Sequence, residues 1–218
     1  MTDEHSSRTP GGISPSLFAF SIFYGGMVCI AGVLGAKQVA LGPLAVEAGI
    51  FPFLLLVAMS SAVTELYGRK VADRLVRFGF APLVAAILLT LFVLQLPNDE
   101  GMYPPAVEAF PIILGQSWRM MLAGIIAYGV SVTLNVFIFS KLAERTGRFV
   151  ALRAAIASAL SQIVDTLIFI TISFYGEREI GSLILGQGVA KVVLSFVLVP
   201  LVITMLVGLG RRLDRAAL

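Results

Sequence analysis

The residue in this sequence best suited to chemistry is Asp165, an acid inside a long apolar segment. It is the one charged residue in 154–176, twelve residues from Arg153 and twelve from Glu177. At 1.5 Å per helical residue each interval is about 18 Å, so Asp165 is predicted at the middle of a membrane-crossing helix. An ionisable group at that depth costs at least about 2.5–3.5 kcal/mol, which makes a functional role the default hypothesis.

Asp165 belongs to a polar stripe along the same segment. Intervals of three, four and seven residues place side chains on one helical face, and the stripe consists of Ser158, Ser161, Gln162, Asp165, Thr166 and Phe169. The opposite face is predicted to be apolar, with Ile163, Leu167 and Ile170. The stripe can bind a solute, or it can hold helices together through hydrogen bonds worth about 0.6 kcal/mol each.

Two other polar positions lie within apolar segments. Asn135 follows Ser131 by four residues and Tyr128 by seven, which predicts a second polar stripe. Helix packing through the amide is the alternative for Asn135. Glu65 has Arg69 four residues later, so a solvated ion pair at the membrane surface is the alternative for Glu65.

Lys191 is a basic residue that directly precedes the last apolar run, 192–210. Counting back from Arg211 predicts Lys191 roughly 30 Å from the opposite end of the helix, near the outer edge of the membrane. Its depth then differs from that of Asp165 by about 12 Å, and a direct pair requires helix tilt or a kink at Pro200. The alternative is that the lysine extends to the outer surface.

The sequence is poor in residues that carry out catalysis or bind metals. Cys29 is the single cysteine, and His5, the single histidine, lies in the polar N-terminal region. A disulfide framework, a cysteine-rich metal site and Ser/His or Cys/His catalysis in the apolar body are therefore excluded. No glycine-rich phosphate loop, HExxH or GxSxG motif occurs. We therefore expect no enzyme activity, no cofactor and no metal.

The elements that position these residues follow from composition. Of 218 residues, 58% are hydrophobic and 13% are charged, and the mean hydropathy is +0.94. Soluble domains have roughly 45–50% apolar and about 25% charged residues, so the chain is predicted to lie in a membrane. A helical crossing needs about 20 apolar residues. The sequence predicts an all-α integral membrane protein with six transmembrane helices at 17–36, 48–64, 78–98, 120–140, 154–176 and 192–210.

Basic residues predict the orientation. Twelve of the 16 lysines and arginines lie in the N-terminal region, in the second and fourth connections or at the C-terminus, which puts both termini in the cytoplasm. This distribution favours a bacterial inner membrane over nucleic-acid binding. The third connection, 99–118, is predicted to lie on the outer face or to re-enter it. The predicted domains are a disordered tail (1–16) without a recognisable signal peptide, a six-helix domain (17–212) and a cytoplasmic tail (213–218).

Several strings in the sequence resemble the queuosine precursor transporter family, also called the vitamin uptake transporter or YhhQ-like family. The resemblance is carried by SWRMMLAGIIAYGVSVTLNVFIFSKL and RAAIASALSQIVDTLIFITISFYG, with SQxxDTxxF as the most specific part. It extends upstream to AGVLGAKQV, FPFLLL and TELYGRKVA, and downstream to AKVVLSFVLVP. The resemblance implies a six-helix inner-membrane protein that imports 7-deazaguanine precursors of the tRNA base queuosine, such as the cyano and aminomethyl bases or queuine.

The resemblance also implies site residues, namely Glu65, Arg119, Asn135, Arg153, Gln162, Asp165 and Lys191. Ser161 and Phe169 of the polar stripe complete the expected substrate-binding set. One departure concerns the second span, where the family often carries an acidic residue four positions before the glutamate of ExYG. This sequence has Ser61 there, so a role for two carboxylates on that span is not expected.

The chemistry of a deazaguanine agrees with these residue types. Its N1–H and exocyclic NH2 are adjacent donors, and a carboxylate from Asp165 or Glu65 accepts both in a charge-assisted bidentate pair. Donors for its O6 atom are Gln162, Asn135 and Lys191. Aromatic surfaces for stacking are Phe169, Tyr128 and Trp118.

Two other functional classes remain open. One is a substrate-capture subunit that needs separate ATPases, as in vitamin importers of similar size. The other is a membrane enzyme or assembly factor without transport activity. We expect a facilitator or a proton-linked importer whose partners are the deazapurine base and the lipid bilayer. A homodimer also remains open.

Overall fold

The computed structural model describes residues 14–42, 44–116, 118–146, 149–176 and 179–216, and within these the chain folds into a helical bundle. Its elements are α1 (Pro15–Gly35), β1 (Gln38–Leu41), β2 (Leu44–Glu47), α2 (Ile50–Tyr67), α3 (Arg69–Val93), α4 (Pro104–Leu114), α5 (Trp118–Thr146), α6 (Val150–Phe174) and α7 (Gly181–Arg215). Among the described residues, six helices are long and apolar enough to cross a membrane, which confirms the predicted number. The protein is therefore a multi-pass membrane protein.

The interior of the bundle is built mainly from α2 and α6. Every α2 side chain from Leu56 to Thr64 is buried. Ala154, Ala157 and Ser161 are buried on α6, and side chains of this size let helix backbones approach closely in a membrane. By contrast, Phe78 on α3 and Met205 on α7 are 74% and 73% exposed. Such apolar surfaces face the lipid.

The junction between α2 and α3 is a single residue, Gly68, with φ 83°. A residue with a side chain adopts this backbone conformation only at a cost, so glycine permits the sharp turn. The predicted length of the second connection is therefore wrong. Its basic residues lie within α3, and they are Arg69, Lys70, Arg74 and Arg77. A search for apolar runs misses polar turns that extend a helix beyond its apolar part.

The fourth connection is also shorter than predicted. Lys141 and Arg145 belong to α5, and Arg153 belongs to α6. Arg148 lies outside the described residues. Arg153 is only 3% exposed, so it is a buried residue and not a loop charge.

The connection between α1 and α2 contains an element that the sequence analysis did not predict. Strands β1 and β2 pair antiparallel, with Gln38 opposite Glu47 and Leu41 opposite Leu44. Gly42 in the turn has φ 61°. The all-α expectation thus holds for the membrane spans but misses this hairpin, because two four-residue strands produce little periodicity in the sequence.

The third connection contains α4, which has no buried residue among those described. After α4, the Gln116 side-chain amide donates a hydrogen bond to the Gly32 carbonyl at 2.7 Å. The hairpin and α4 therefore lie at the same end of the bundle, next to the C-terminal end of α1. At the other end, α1 begins at Pro15 and α7 continues to Arg215, so the helices extend slightly beyond residues 17–212.

Candidate functional site

A cavity of about 220 Å³ lies in the half of the bundle that carries the hairpin and α4. Its walls are mostly apolar and come from all seven helices and from β2. A few polar side chains reach it, among them Glu47, Thr90, Gln116, Tyr128, Asp165 and Lys191. An apolar hollow with a few convergent polar groups is the usual form of a small-molecule site.

The deepest charged feature of the cavity is an ion pair. Lys191 Nζ donates to Asp165 Oδ2 at 2.9 Å, and the Ser131 hydroxyl donates to Asp165 Oδ1 at 3.2 Å. Asp165 and Lys191 are 6% and 6% exposed. The structure forms the direct pair that the sequence analysis allowed only with helix tilt or a kink. Helix α7 begins at Gly181, so Lys191 lies ten residues into the helix.

The polar stripe on α6 is buried as a unit. Ser158, Ser161, Gln162 and Thr166 are each at most 1% exposed, and Phe169 lines the cavity. On the opposite face Ile163 and Leu167 are exposed, as expected for lipid contact. Ile170 is an exception, since it is fully buried.

Two amides of the predicted site, Gln162 in this stripe and Asn135 on α5, are absent from the described cavity wall. Asn135 donates to Ser60 Oγ at 3.2 Å and to Ser61 Oγ at 3.0 Å, which joins α5 to α2 as the helix-packing alternative requires. Its Oδ1 atom and both amide atoms of Gln162 are buried without a hydrogen-bond partner among the described residues. These atoms can still bind water or a ligand.

Glu65 forms a second ion pair, far from the cavity. Arg153 Nη2 lies 2.5 Å from Glu65 Oε2, and the Arg153 guanidinium stacks 4.7 Å above the Phe139 ring. The alternative for Glu65, a solvated pair with Arg69, does not form, because Arg69 pairs with Asp73 at 3.4 Å. The Glu65–Arg153 pair therefore joins α2 to α6 inside the bundle.

An aromatic wall closes one side of the cavity. The hydroxyl groups of Tyr128 and Tyr24 are 2.9 Å apart, and Tyr128 also donates to the Val76 carbonyl at 3.2 Å. The Phe80 ring meets Tyr128 edge-on at 5.0 Å. The Tyr128 ring is therefore held in one orientation and presents a fixed surface to the cavity.

Arg119 belongs to α5, and its side chain contacts the C-terminal end of α6. Its guanidinium donates to the carbonyls of Ile172 at 3.2 Å and Tyr175 at 3.0 Å. These contacts satisfy backbone acceptors at a helix C-terminus. Arg119 is absent from the described cavity wall, and the side chain of Trp118 lies outside the described part of the structure.

Sequence reasoning missed Glu47 as a cavity residue. Glu47 is the last residue of β2, and it lines the cavity together with Asp165 and Lys191. The only available signal was an acidic residue between two apolar runs, which is ordinary for a loop. Within the described ranges, no cluster of three or more His, Cys, Asp or Glu side chains could hold a metal ion.

Comparison with known proteins identifies the kind of protein that has this architecture. Residues 47–205 match the model of the family described as "Putative vitamin uptake transporter". The chain belongs to this family. The match covers most of the chain and includes the cavity residues Glu47, Asp165 and Lys191.

The chain is also similar to a curated relative, "Probable queuosine precursor transporter" of Bacillus subtilis (strain 168). The two are 29% identical over 120 residues, which is 54% of this chain and 51% of the relative. The match therefore spans about half of each protein. No solved structure matches the chain.

Proposed function

We propose that the protein imports queuosine precursors, which are 7-deazaguanine bases, across a bacterial inner membrane for tRNA modification. The single observation that carries the proposal is the buried Asp165 carboxylate at the wall of an apolar cavity inside a vitamin uptake transporter. The similarity to a queuosine precursor transporter supports the same substrate class.

Asp165 has room to bind the base without losing its present partners. A carboxylate offers about four acceptor positions, and Lys191 and Ser131 each occupy one. The remaining positions suit the N1–H and NH2 donors, which form short, charge-assisted bonds to a carboxylate. Lys191 Nζ then serves as a donor for the O6 atom of the base.

The cavity also suits the size and flatness of a deazaguanine. Its volume of about 220 Å³ is below the ~300–1,000 Å³ of pockets for drug-sized ligands, as expected for a bicyclic base. Phe169 and Tyr128 supply aromatic surfaces on its wall. We assign binding first to Asp165, Lys191 and Phe169.

The other predicted residues enter the proposal as support for this site. Gln162, Ser161 and Asn135 form the polar interior beside it, whereas Glu65 and Arg119 stabilise helix contacts. We propose that both termini lie in the cytoplasm and that the cavity faces outward. The hairpin and α4 then lie on the outer side.

Uptake of labelled base tests the proposal directly. We expect cells that cannot make queuosine precursors to accumulate the labelled cyano or aminomethyl base when they express the protein. Asp165→Asn removes the anionic acceptor and should weaken uptake by roughly tenfold to a thousandfold, since charged hydrogen bonds contribute about 1.5–3 kcal/mol each. Asp73→Asn, in the partly exposed pair on α3, is the matched control and should leave uptake unchanged. Full uptake by a well-expressed Asp165→Asn variant would contradict the proposal.

Purified protein in liposomes separates an independent carrier from a capture subunit. We expect it to move a deazapurine base without added ATPase, down a concentration gradient or together with protons. Movement only after ATPase subunits are added would transfer the assignment to the capture subunit.

A further inference from the structure

A series of buried polar side chains leads from the cavity toward the other end of the bundle. It begins next to Asp165 at the cavity wall and ends at Arg153, twelve residues away on α6, which is about 18 Å along the helix. This polar column consists of Gln162, Ser161 and Ser158 of α6, Asn135 of α5, and Ser60 and Ser61 of α2, all fully buried. Polar side chains at membrane depth are expensive and commonly mark the path of a solute.

The contacts of α5 show that Asn135 lies midway along the column. Ser131 of α5 donates to Asp165 at the cavity, and Phe139 of α5 lies against the Arg153 guanidinium at the far end. Asn135 is four residues from each of them, about one helical turn in either direction. The column is therefore continuous between the cavity and Arg153.

The amide groups of the column have unused hydrogen-bonding capacity. Both amide atoms of Gln162 and the Oδ1 atom of Asn135 are buried without a hydrogen-bond partner among the described residues. Such atoms are costly unless water or a ligand binds them. A deazaguanine carries donors and an acceptor on one edge, so it can satisfy these amides as it passes.

The Glu65–Arg153 ion pair lies at the far end of this column. Glu65 follows Ser61 by one turn of α2, and Ser61 contacts Asn135. The Arg153 side chain is 3% exposed and the Glu65 side chain 21% exposed, so the pair separates the buried column from the surface at that end. Both charges regain hydration when α2 and α6 separate, which offsets part of the energy needed to break the contact.

We infer that the solute leaves the cavity along the polar column and that the Glu65–Arg153 pair is the gate at its far end. The inference rests on the proposed function and makes its mechanism more specific. The pair is formed in the structure, so the column is closed at this end. Opening requires α2 and α6 to separate at Glu65 and Arg153. A carrier with a site inside the bundle opens to one side at a time, and this gate controls the side away from the hairpin.

A removable link between the two gate positions tests the inference. Glu65→Cys and Arg153→Cys are combined with Cys29→Ser, and a short, reducible bifunctional thiol reagent joins them, because two long side chains that meet end to end span more than a disulfide does. We expect the linked protein to lose uptake of the labelled base by at least roughly tenfold relative to the same protein before linking, since the gate cannot open. Binding of the base at the cavity should persist, and reduction of the link should restore uptake.

Lys141→Cys with Glu144→Cys is the matched control. These exposed residues lie three apart on α5, so a link between them joins no two helices and should leave uptake unchanged. Full uptake by the linked Glu65–Arg153 protein would show that the pair is a static contact and would overturn the gate.

Cys29 provides a second measurement that needs no substrate. Glu65→Gln removes one charge of the gate and keeps Cys29 at the cavity wall. We expect a membrane-impermeant thiol reagent, added on the side where the polar column ends, to label Cys29 several-fold faster than in the wild type. Glu144→Gln, in the exposed pair with Lys141, is the control and should not change the rate. A wild-type rate in the Glu65→Gln protein would also overturn the gate.

The two measurements separate this inference from the function on which it rests. Uptake that is insensitive to the link removes the gate and leaves the transport proposal intact. Faster labelling of Cys29 in Glu65→Gln, in a protein that moves no deazapurine base, overturns the proposed substrate and leaves the gate.

Discussion

At the scale of single residues, Asp165 and Lys191 each stabilise the other's buried charge. Each is 6% exposed, and each alone would be an uncompensated charge in a medium of low dielectric constant. Their contact at 2.9 Å offsets part of the desolvation cost. The pair also leaves carboxylate lone pairs available at the cavity wall.

A double-mutant cycle separates the structural role of this pair from its role in transport. Lys191→Met leaves a buried carboxylate without a counter-charge and should lower the free energy of unfolding by about 3–5 kcal/mol. Adding Asp165→Asn should recover most of that stability without recovering uptake. Thermal unfolding in detergent and uptake of labelled base measure the two effects.

Lys37→Met is the control for that cycle, because Lys37 is an exposed lysine next to the hairpin. It should alter stability by less than about 0.5 kcal/mol. A Lys191→Met protein as stable as the wild type would show that the buried ion pair does not form in the membrane.

At the scale of elements, α3 reaches the cavity wall through a close approach at Gly79. A Cβ atom there would lie 2.8 Å from Tyr24 Cε1 and would also overlap the Tyr128 hydroxyl group. The Tyr24–Tyr128 hydrogen bond and the orientation of Tyr128 therefore depend on the absence of a side chain at Gly79.

Gly79→Ala should displace Tyr128 and break its contact with Tyr24. Overpacking of this kind costs about 1–3 kcal/mol, and we expect both stability and uptake to fall. Gly26→Ala on α1 is the matched control, because a Cβ there meets nothing within 4 Å. Alanine is about 1 kcal/mol better than glycine inside a helix, so this variant should be as stable as the wild type or slightly more stable. Equal effects of the two substitutions would contradict the packing role of Gly79.

The sequence was sufficient to predict the six spans and the polar face of α6 that contains Asp165. Both depend on local quantities, namely run length and helical periodicity. Residues 154–176 contain a single charge and have a charged residue on either side, so both ends of their helix could be recognised in the sequence. The same periodicity correctly grouped Ser161, Gln162 and Asp165 on one buried face.

Residues whose environment depends on distant parts of the chain could not be placed in this way. The contact of Lys191 with Asp165 stayed one of two alternatives because α7 begins at Gly181, where the glycine-rich sequence resembles a loop. Arg153 was assigned to a loop because its partner, Glu65, is 88 residues away. Glu47 was overlooked because only the hairpin fold brings it to the cavity.

At the scale of the whole molecule, the cavity occupies one half of the bundle and a packed core fills the other. That core includes Phe20, Tyr24, Met59 and Val63. Beyond it, Asp214 of α7 accepts a 2.5 Å hydrogen bond from the Tyr67 hydroxyl of α2, and Ser14 and Ser16 join the same cluster. This cluster ties the ends of α1, α2 and α7 together on the side away from the cavity.

Cys29 provides a built-in reporter for the direction in which the cavity faces. It is the only cysteine in the sequence and it lines the cavity. With the proposed orientation, a small membrane-impermeant thiol reagent added outside the cell should label Cys29, and an excess of the transported base should slow labelling several-fold. Mass spectrometry of the purified protein measures the labelled fraction.

Cys29→Ser protein should remain unlabelled and controls for reaction at other side chains. Labelling only from the cytoplasmic side would reverse the proposed orientation. Labelling that is unaffected by the base would place substrate binding outside this cavity.

Helix α7 is long enough to connect the two ends of the bundle. Its 35 residues extend about 52 Å at 1.5 Å per residue, farther than the ~40–45 Å thickness of a bilayer. Lys191 at the cavity and Asp214 in the distant cluster therefore belong to the same helix and lie about 34 Å apart. Pro200 lies between them and removes a backbone hydrogen bond, so it is the position at which α7 bends most easily. If the proposed base shifts Lys191 when it binds, the shift passes along α7 to the bond between Asp214 and Tyr67.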